Sequence, residues 1–133
     1  MALQNLNQFI ELIRDNAVKN TIELQRQVSV DYVQIIARDT PVDTGRATAN
    51  WIAGINKPPR GGKQIFDKSS TAKRTATKAR EVLQRLKFGD EVIIRNAVDD
   101  ESEDSSGYII KLEEGASPQN RTGMFRKNVA RYK

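Results

Sequence analysis

The sequence predicts an α+β chain, and three observations carry that prediction. An apolar stripe at three- and four-residue steps opens the chain, and a second, basic stretch has the same period. Two short runs rich in branched or aromatic residues lie between turn signals and read as strands. The 133 residues suit one domain, with 38% apolar and only 6% aromatic residues to build its core. So thin a core leads us to expect that part of the apolar surface is buried against another subunit.

The first element is a helix over residues 3–36. Leu3, Leu6, Ile10, Ile13, Ala17 and Leu24 form its stripe, with Asn20 as a polar gap. Beyond the gap, Leu24, Val28, Tyr32, Ile35 and Ile36 continue on a slightly rotated face. About 34 residues at 1.5 Å each make a helix of ~50 Å, against a radius of gyration near ~14 Å for a domain of this size. Two outcomes are open. The helix breaks near Asn20, or its end projects and packs on a neighbour. Pro41 stops the helix by disfavouring helical backbone at Thr40. Asp43 and Gly45 suit a sharp turn over residues 40–45.

Ala47 to Ile55 alternates loosely around Trp51 and suits a strand. Residues 56–69, with Pro58-Pro59 and Gly61-Gly62, read as a loop or arm. The Gly61-Gly62-Lys63 triplet lacks the spacing of a phosphate-binding loop and reads as a turn. A second helix is expected from Ser70 to Lys87, capped by Ser69 or Ser70. Its apolar stripe is Ala72, Ala76, Ala79, Leu83 and Leu86, and a left-handed cap is expected at Gly89. Glu91 to Val98 reads as a strand buried in part on both faces. Asp99 to Gly107 holds five acids and no apolar residue, and is expected to be a mobile, solvated loop. Its acids lack calcium-loop spacing. Tyr108 to Glu114 fits a strand or a helical turn, and Met124 to Lys133 fits a strand or a short helix.

Chemistry is bounded by what the chain lacks. It has no cysteine and no histidine, so disulfides, thiolate metal sites and the commonest general base are absent. We therefore expect no enzyme, no catalytic residues, no metal and no cofactor. No apolar run approaches ~20 residues, and Met1 to Asn7 lacks the basic start of a signal peptide. The expectation is a soluble protein made in a cytoplasm, with no membrane partner.

Charge is segregated along the chain. The net charge is +5, but residues 57–87 carry +8, residues 90–114 carry −7, and residues 118–133 hold five bases and no acid. Lys73, Arg74, Lys78, Arg80, Arg85 and Lys87 crowd the second helix. Such a surface suits DNA phosphates without sequence reading, or an oppositely charged face on a neighbouring subunit. Both partners stay open.

Two segments carry a family resemblance. Thr40-Pro41-Val42-Asp43-Thr44-Gly45-Arg46, followed by Asn50-Trp51, resembles the "PVDTG-R-x-x-x-S/N-W" signature of tail-completion or head–tail joining proteins of long-tailed bacteriophages, of the minor tail protein Z-like kind. Tyr108 to Leu112, Glu113-Glu114-Gly115-Ala116-Ser117-Pro118-Gln119, then Gly123-Met124-Phe125-Arg126, is similar to their second signature, "E-x-G-x-S-x-Q" followed by "G-M-x-R". The chain departs from the pattern at Ala47, where leucine is usual, and at Asn120-Arg121-Thr122. It also carries an inserted loop and basic helix at about 57–89. The resemblance implies a long N-terminal helix packed on a small antiparallel sheet with additional short helices. It implies a virion protein of the neck or tail, assembled as a homo-oligomeric ring, commonly of six. Such a ring joins tail to head connector among neighbouring neck and tail proteins, with genomic DNA passing through the lumen. A cyclic ring needs two unlike, complementary faces on each subunit, and the +8 and −7 segments are candidates. We further expect fixed turns at Gly45 and Gly115 to place Trp51 and Met124, Asp43 to pin one loop, and Arg46 or Arg126 to pair with Glu113.

Overall fold

The computed structural model describes residues 2–41, 45–60, 65–100, 109, 113–114, 123–125 and 128. Helix α1 spans Ala2–Asp39, unbroken through Asn20. Of the two outcomes expected for so long a helix, the projecting end is the one found. Residues 5–17 are exposed, and burial starts only at Val18 and Ile22. At 38 residues, α1 is ~57 Å long.

α1 closes with a carbonyl-capping arrangement that Pro41 enforces. The Thr40 N–H donates to Ala37 O at 3.1 Å, and the Thr40 hydroxyl donates back to Ile36 O at 2.8 Å. Gly45 then turns the chain with φ +85°. Its carbonyl accepts the Ala49 N–H at 3.0 Å and so starts α2, Arg46–Ala49. This corrects the expected strand over 47–55. Ala47, Thr48 and Ala49 wind as one helical turn, and the strand β1 is Trp51–Ile55.

β1 pairs antiparallel with β2, Val92–Asn96, in the register Trp51↔Asn96 to Ile55↔Val92. All five β2 residues are half-buried. The two-stranded sheet is closed where the segment between its strands leaves and returns. Asn56 N–H donates to Glu91 O, Glu91 N–H donates to Asn56 Oδ1, and Asn56 Nδ2 donates to Asp90 Oδ1, all at 2.8–2.9 Å.

Helix α3 covers Lys73–Leu83, shorter at both ends than the expected 70–87. After Leu83, tighter i to i+3 bonds end at Asp90 N–H on Lys87 O, and the Asp90 carboxylate accepts the Lys87 N–H at 2.8 Å. Arg85 and Lys87 therefore lie past the helix. Gly89 takes the expected left-handed conformation, φ +88°, within that turn.

The core is rich in alanine. Val30, Val33, Ile36 and Ala37 of α1 meet Ala76, Ala79 and Leu83 of α3, with Ala47, Trp51 and Ala53 between them. Small residues let the two helices approach the sheet closely, so a chain with few aromatics still fills its interior. Polar side chains fasten the helices along their edge: Gln25 Nε2 reaches Asp90 O, Arg26 Nε reaches Leu83 O and Gln34 Nε2 reaches Thr71 O, at 2.9–3.0 Å. The result is an α+β fold. None of the helices is long and apolar enough to cross a membrane among the described residues.

Ile109 and Glu113 both have helical backbone, as does Asn128, which favours the helical alternative for those two ambiguous segments at these residues. Asp99 and Asp100 depart from the loop expected over 99–107. They sit in a turn, where Asp100 forms an ion pair with Arg95 that raises the arginine's already high pKa, and Asp99 Oδ2 accepts the Ile109 N–H at 3.3 Å.

Candidate functional site

Three features stand out: a pinned joint at the end of α1, a cationic face on α3, and an apolar arm. The joint gathers both signature segments. Trp51 is 5% exposed, and its indole N–H donates to Thr40 Oγ1 at 2.8 Å. Its ring stacks on Phe125 with centroids 6.0 Å apart and planes 2° from parallel. Next to that stack, one Glu113 oxygen accepts the Met124 N–H at 2.9 Å and the Phe125 N–H at 2.8 Å. Asn128 donates to Asp39 Oδ2 at 2.9 Å, which ties the C-terminal segment to the end of α1.

Glycine is required at two places here. Gly45 has φ +85°, and a Cβ on it would stand 2.6–2.9 Å from the backbone of Asp67. Gly123 has φ +78°, and its Cβ would stand 2.5 Å from Glu113 O. Both are left-handed residues pressed against a carboxylate-bearing residue, so any side chain costs strain and a clash together. The expected turn glycine Gly115 lies outside the described residues, as do Asp43, Thr44, Gln119 and Arg126. Gly123, beside Met124, takes a left-handed conformation, φ +78°. Pro41 is half-buried at the joint. Arg46 directs its guanidinium toward Val98 O at 3.4 Å, and the Glu113 carboxylate is engaged by backbone N–H groups as described.

Sequence reasoning missed Asp67, which it left inside an expected loop. Asp67 is buried and links the Gly45 turn to α3. Its N–H donates to Gly45 O at 3.0 Å. Its Oδ2 accepts the N–H and hydroxyl of Thr75, at 2.9 and 2.8 Å. Its Oδ1 accepts the N–H and hydroxyl of Ser69, at 3.0 and 2.5 Å. Burial pushes this carboxyl up, but the four donors together outweigh burial and leave its pKa below the ordinary carboxylate range. The N-cap position of α3 is Ala72, not the expected Ser69 or Ser70, and it gives no side-chain cap; the Ser69 hydroxyl still accepts the Lys73 N–H at 3.0 Å from further back. A local reading of Asp67 finds only its turn with Ser69, two residues on, and not its bonds to Thr75, eight residues on.

The joint thereby orients the cationic face. Lys73, Arg74, Lys78 and Arg80 project from α3, and Arg85 and Lys87 from the turn after it, all exposed. Lys73, Arg74, Lys78, Arg80 and Arg85 form no ion pair with another described residue. Lys87 lies beside Asp90, whose carboxyl is held below its ordinary pKa by Asn56 first and by Lys87 N–H next. A groove of about 610 Å³ lies on this face, lined by Phe66, Lys73, Arg74, Lys78 and the acid Glu81 among others.

The arm is the third feature. Leu6, Phe9, Ile10, Leu12, Ile13, Leu24 and Val28 are 40–65% exposed. Leu6, Ile10, Ile13, Leu24 and Val28 share one side of α1. Ser29, Val30, Val33 and Ile36, which face the core, lie roughly half a turn round the helix from that side. This apolar stripe therefore points away from the chain's own core.

Compared with models of protein families, with curated proteins and with solved structures, the chain gives no match.

Proposed function

We propose that this chain is a structural subunit of a tailed-phage virion, a tail-completion or neck component that joins tail to head connector in a ring. The two signature segments support this reading, and the observation that carries its assembly part is the exposed apolar stripe of α1. Five large apolar side chains on one side of α1, with no core behind them among the described residues, are more than a monomer of this size ordinarily shows in one strip. The joint supplies rigidity to the rest: the end of α1, the sheet, α3 and the C-terminal segment are fastened by buried or part-buried hydrogen bonds. A ring subunit needs such a rigid body, because neighbouring contacts close a circle only at a fixed angle.

A density map of the neck of an intact particle tests the reading. The expected result is this chain in a closed ring at the head-proximal end of the tail, and heads and tails that accumulate unjoined when the chain is withheld. A particle whose neck lacks the chain overturns it.

A second reading, non-specific DNA binding, is favoured by one observation: five α3-side cations without an ion pair among the described residues. In that reading Lys73, Arg74, Lys78, Arg80 and Arg85 neutralise phosphates. The purified chain then binds duplex DNA with an affinity that falls linearly, on logarithmic axes, with salt. A salt-insensitive or undetectable affinity rejects it. The cations then serve contact with a neighbouring subunit.

A further inference from the structure

We propose that the free chain pairs with a second copy through the outward stripe of α1, as a parallel two-helix coiled coil over Leu6 to Leu24. Leu6, Ile10, Ile13, Ala17, Asn20 and Leu24 follow one another at steps of 4, 3, 4, 3 and 4 residues, and all six are exposed. That spacing averages 3.5 residues and keeps one seam facing a partner helix along its whole length. A helix packing on a globular core needs a wider apolar face, and α1 meets its own core with the other side.

The occupant follows from the seam's borders. Asn7, Phe9, Arg14, Asn16, Thr21 and Glu23 flank it, with two charges of opposite sign among six residues. The surface that covers this strip is therefore apolar and nearly neutral. The α3 side offers the reverse, apolar Phe66 beside three cations, Lys73, Arg74 and Lys78, and one acid, Glu81. The strip itself, on a second copy, is such a surface. In the parallel register Phe9 meets Arg14 of the second copy, Asn16 meets Thr21, and no like charges face each other. Asn20, the single polar residue in the seam, then meets Asn20 of the second copy. The steps place Asn20 at a d position of the heptad, so this polar pair lowers the stability of the seam and keeps the pairing reversible. Because each body lies on the far side of its own helix, the two bodies stand outside the pair and do not collide. A two-fold pair of arms is not the contact of a six-fold ring. The pair is a form of the free subunit that covers the stripe, and it opens when the subunit enters the ring.

The chain has no cysteine, so one introduced thiol reports on the seam alone. Ala17→Cys in the full-length chain is expected to form a disulfide-linked dimer under mild oxidation, since facing seam positions lie within disulfide reach. Adding Ile13→Asp is expected to weaken pairing at least about tenfold and abolish the cross-link, with the circular dichroism of the folded body retained. Light scattering of the unmodified chain is expected to give the mass of two copies. A two-copy or larger mass without the Ala17→Cys cross-link overturns the parallel seam and leaves the ring reading standing. A monomer at every concentration overturns the pairing. A cross-linked pair from a chain absent from the virion neck upholds the pairing and sinks the ring reading.

Discussion

Ile13 and Ile36 are the same residue on the same helix, yet Ile13 is 52% exposed and Ile36 is fully buried. The C-terminal part of α1, from Val30 on, is fixed by core contacts on one side and by the Thr40 and Asn128 bonds at its end. The N-terminal part has an apolar stripe of comparable regularity and none of the described residues against it. Periodicity reports that a face is apolar. It does not report what covers the face. The difference lies in connection: among the described residues, the sheet, α3 and the Asn128 segment return to the anchored half and none returns to the arm.

Substitutions ranked by expected effect sharpen this contrast. Gly45→Ala strikes the anchor hardest, because the new Cβ meets Asp67 backbone at 2.6 Å in left-handed backbone. A loss of about 4 kcal/mol is expected in chemical denaturation, enough to leave little folded chain. Ile36→Ala removes a fully buried branch from the core and is expected to cost about 3 kcal/mol by the same measurement. Asp67→Asn places a side-chain donor among four donors, for an expected loss of about 2 kcal/mol.

The same carboxylate gives a pH signature. Its folded pKa is below the ordinary value, so its contribution is complete above about pH 4. That contribution is lost as the pH falls from there through the folded pKa. The stability of the unmodified chain should therefore decline in that acid window more steeply than that of Asp67→Asn. Equal slopes would remove Asp67 from the anchor. Smallest of all is Ile13→Ala, at dilution low enough to keep copies apart. A change under about 0.5 kcal/mol is expected there, because no core contact is lost. A cost similar to that of Ile36→Ala would mean that the arm folds against its own body.

The contrast also marks how much was legible in the sequence. The long helix, its stop at Pro41, the second helix and the second strand follow from period, ring geometry and branched residues, which are local causes. The first strand was set too early because Ala47-Thr48-Ala49 suits a helical turn as well as a strand, and the Gly45 carbonyl decides it. Asp67, Gln25 and Arg26 look like surface residues in a linear reading. The bonds that join them to the rest of the fold reach groups 8 to 65 positions away, and no short window contains both ends of those bonds. Gly123 shows the same limit. Its need for a missing side chain comes from Glu113, ten residues earlier, pressed against it.

The chain contains one tryptophan, and the structure places it where the two signature segments touch. With its indole N–H engaged by Thr40 and one ring face covered by Phe125, Trp51 fluoresces from a shielded setting. Release of the C-terminal segment alone would uncover that face to water and shift the emission to longer wavelength, while α1 keeps its ellipticity. The protein thus carries an intrinsic optical gauge of whether its two ends are fastened together.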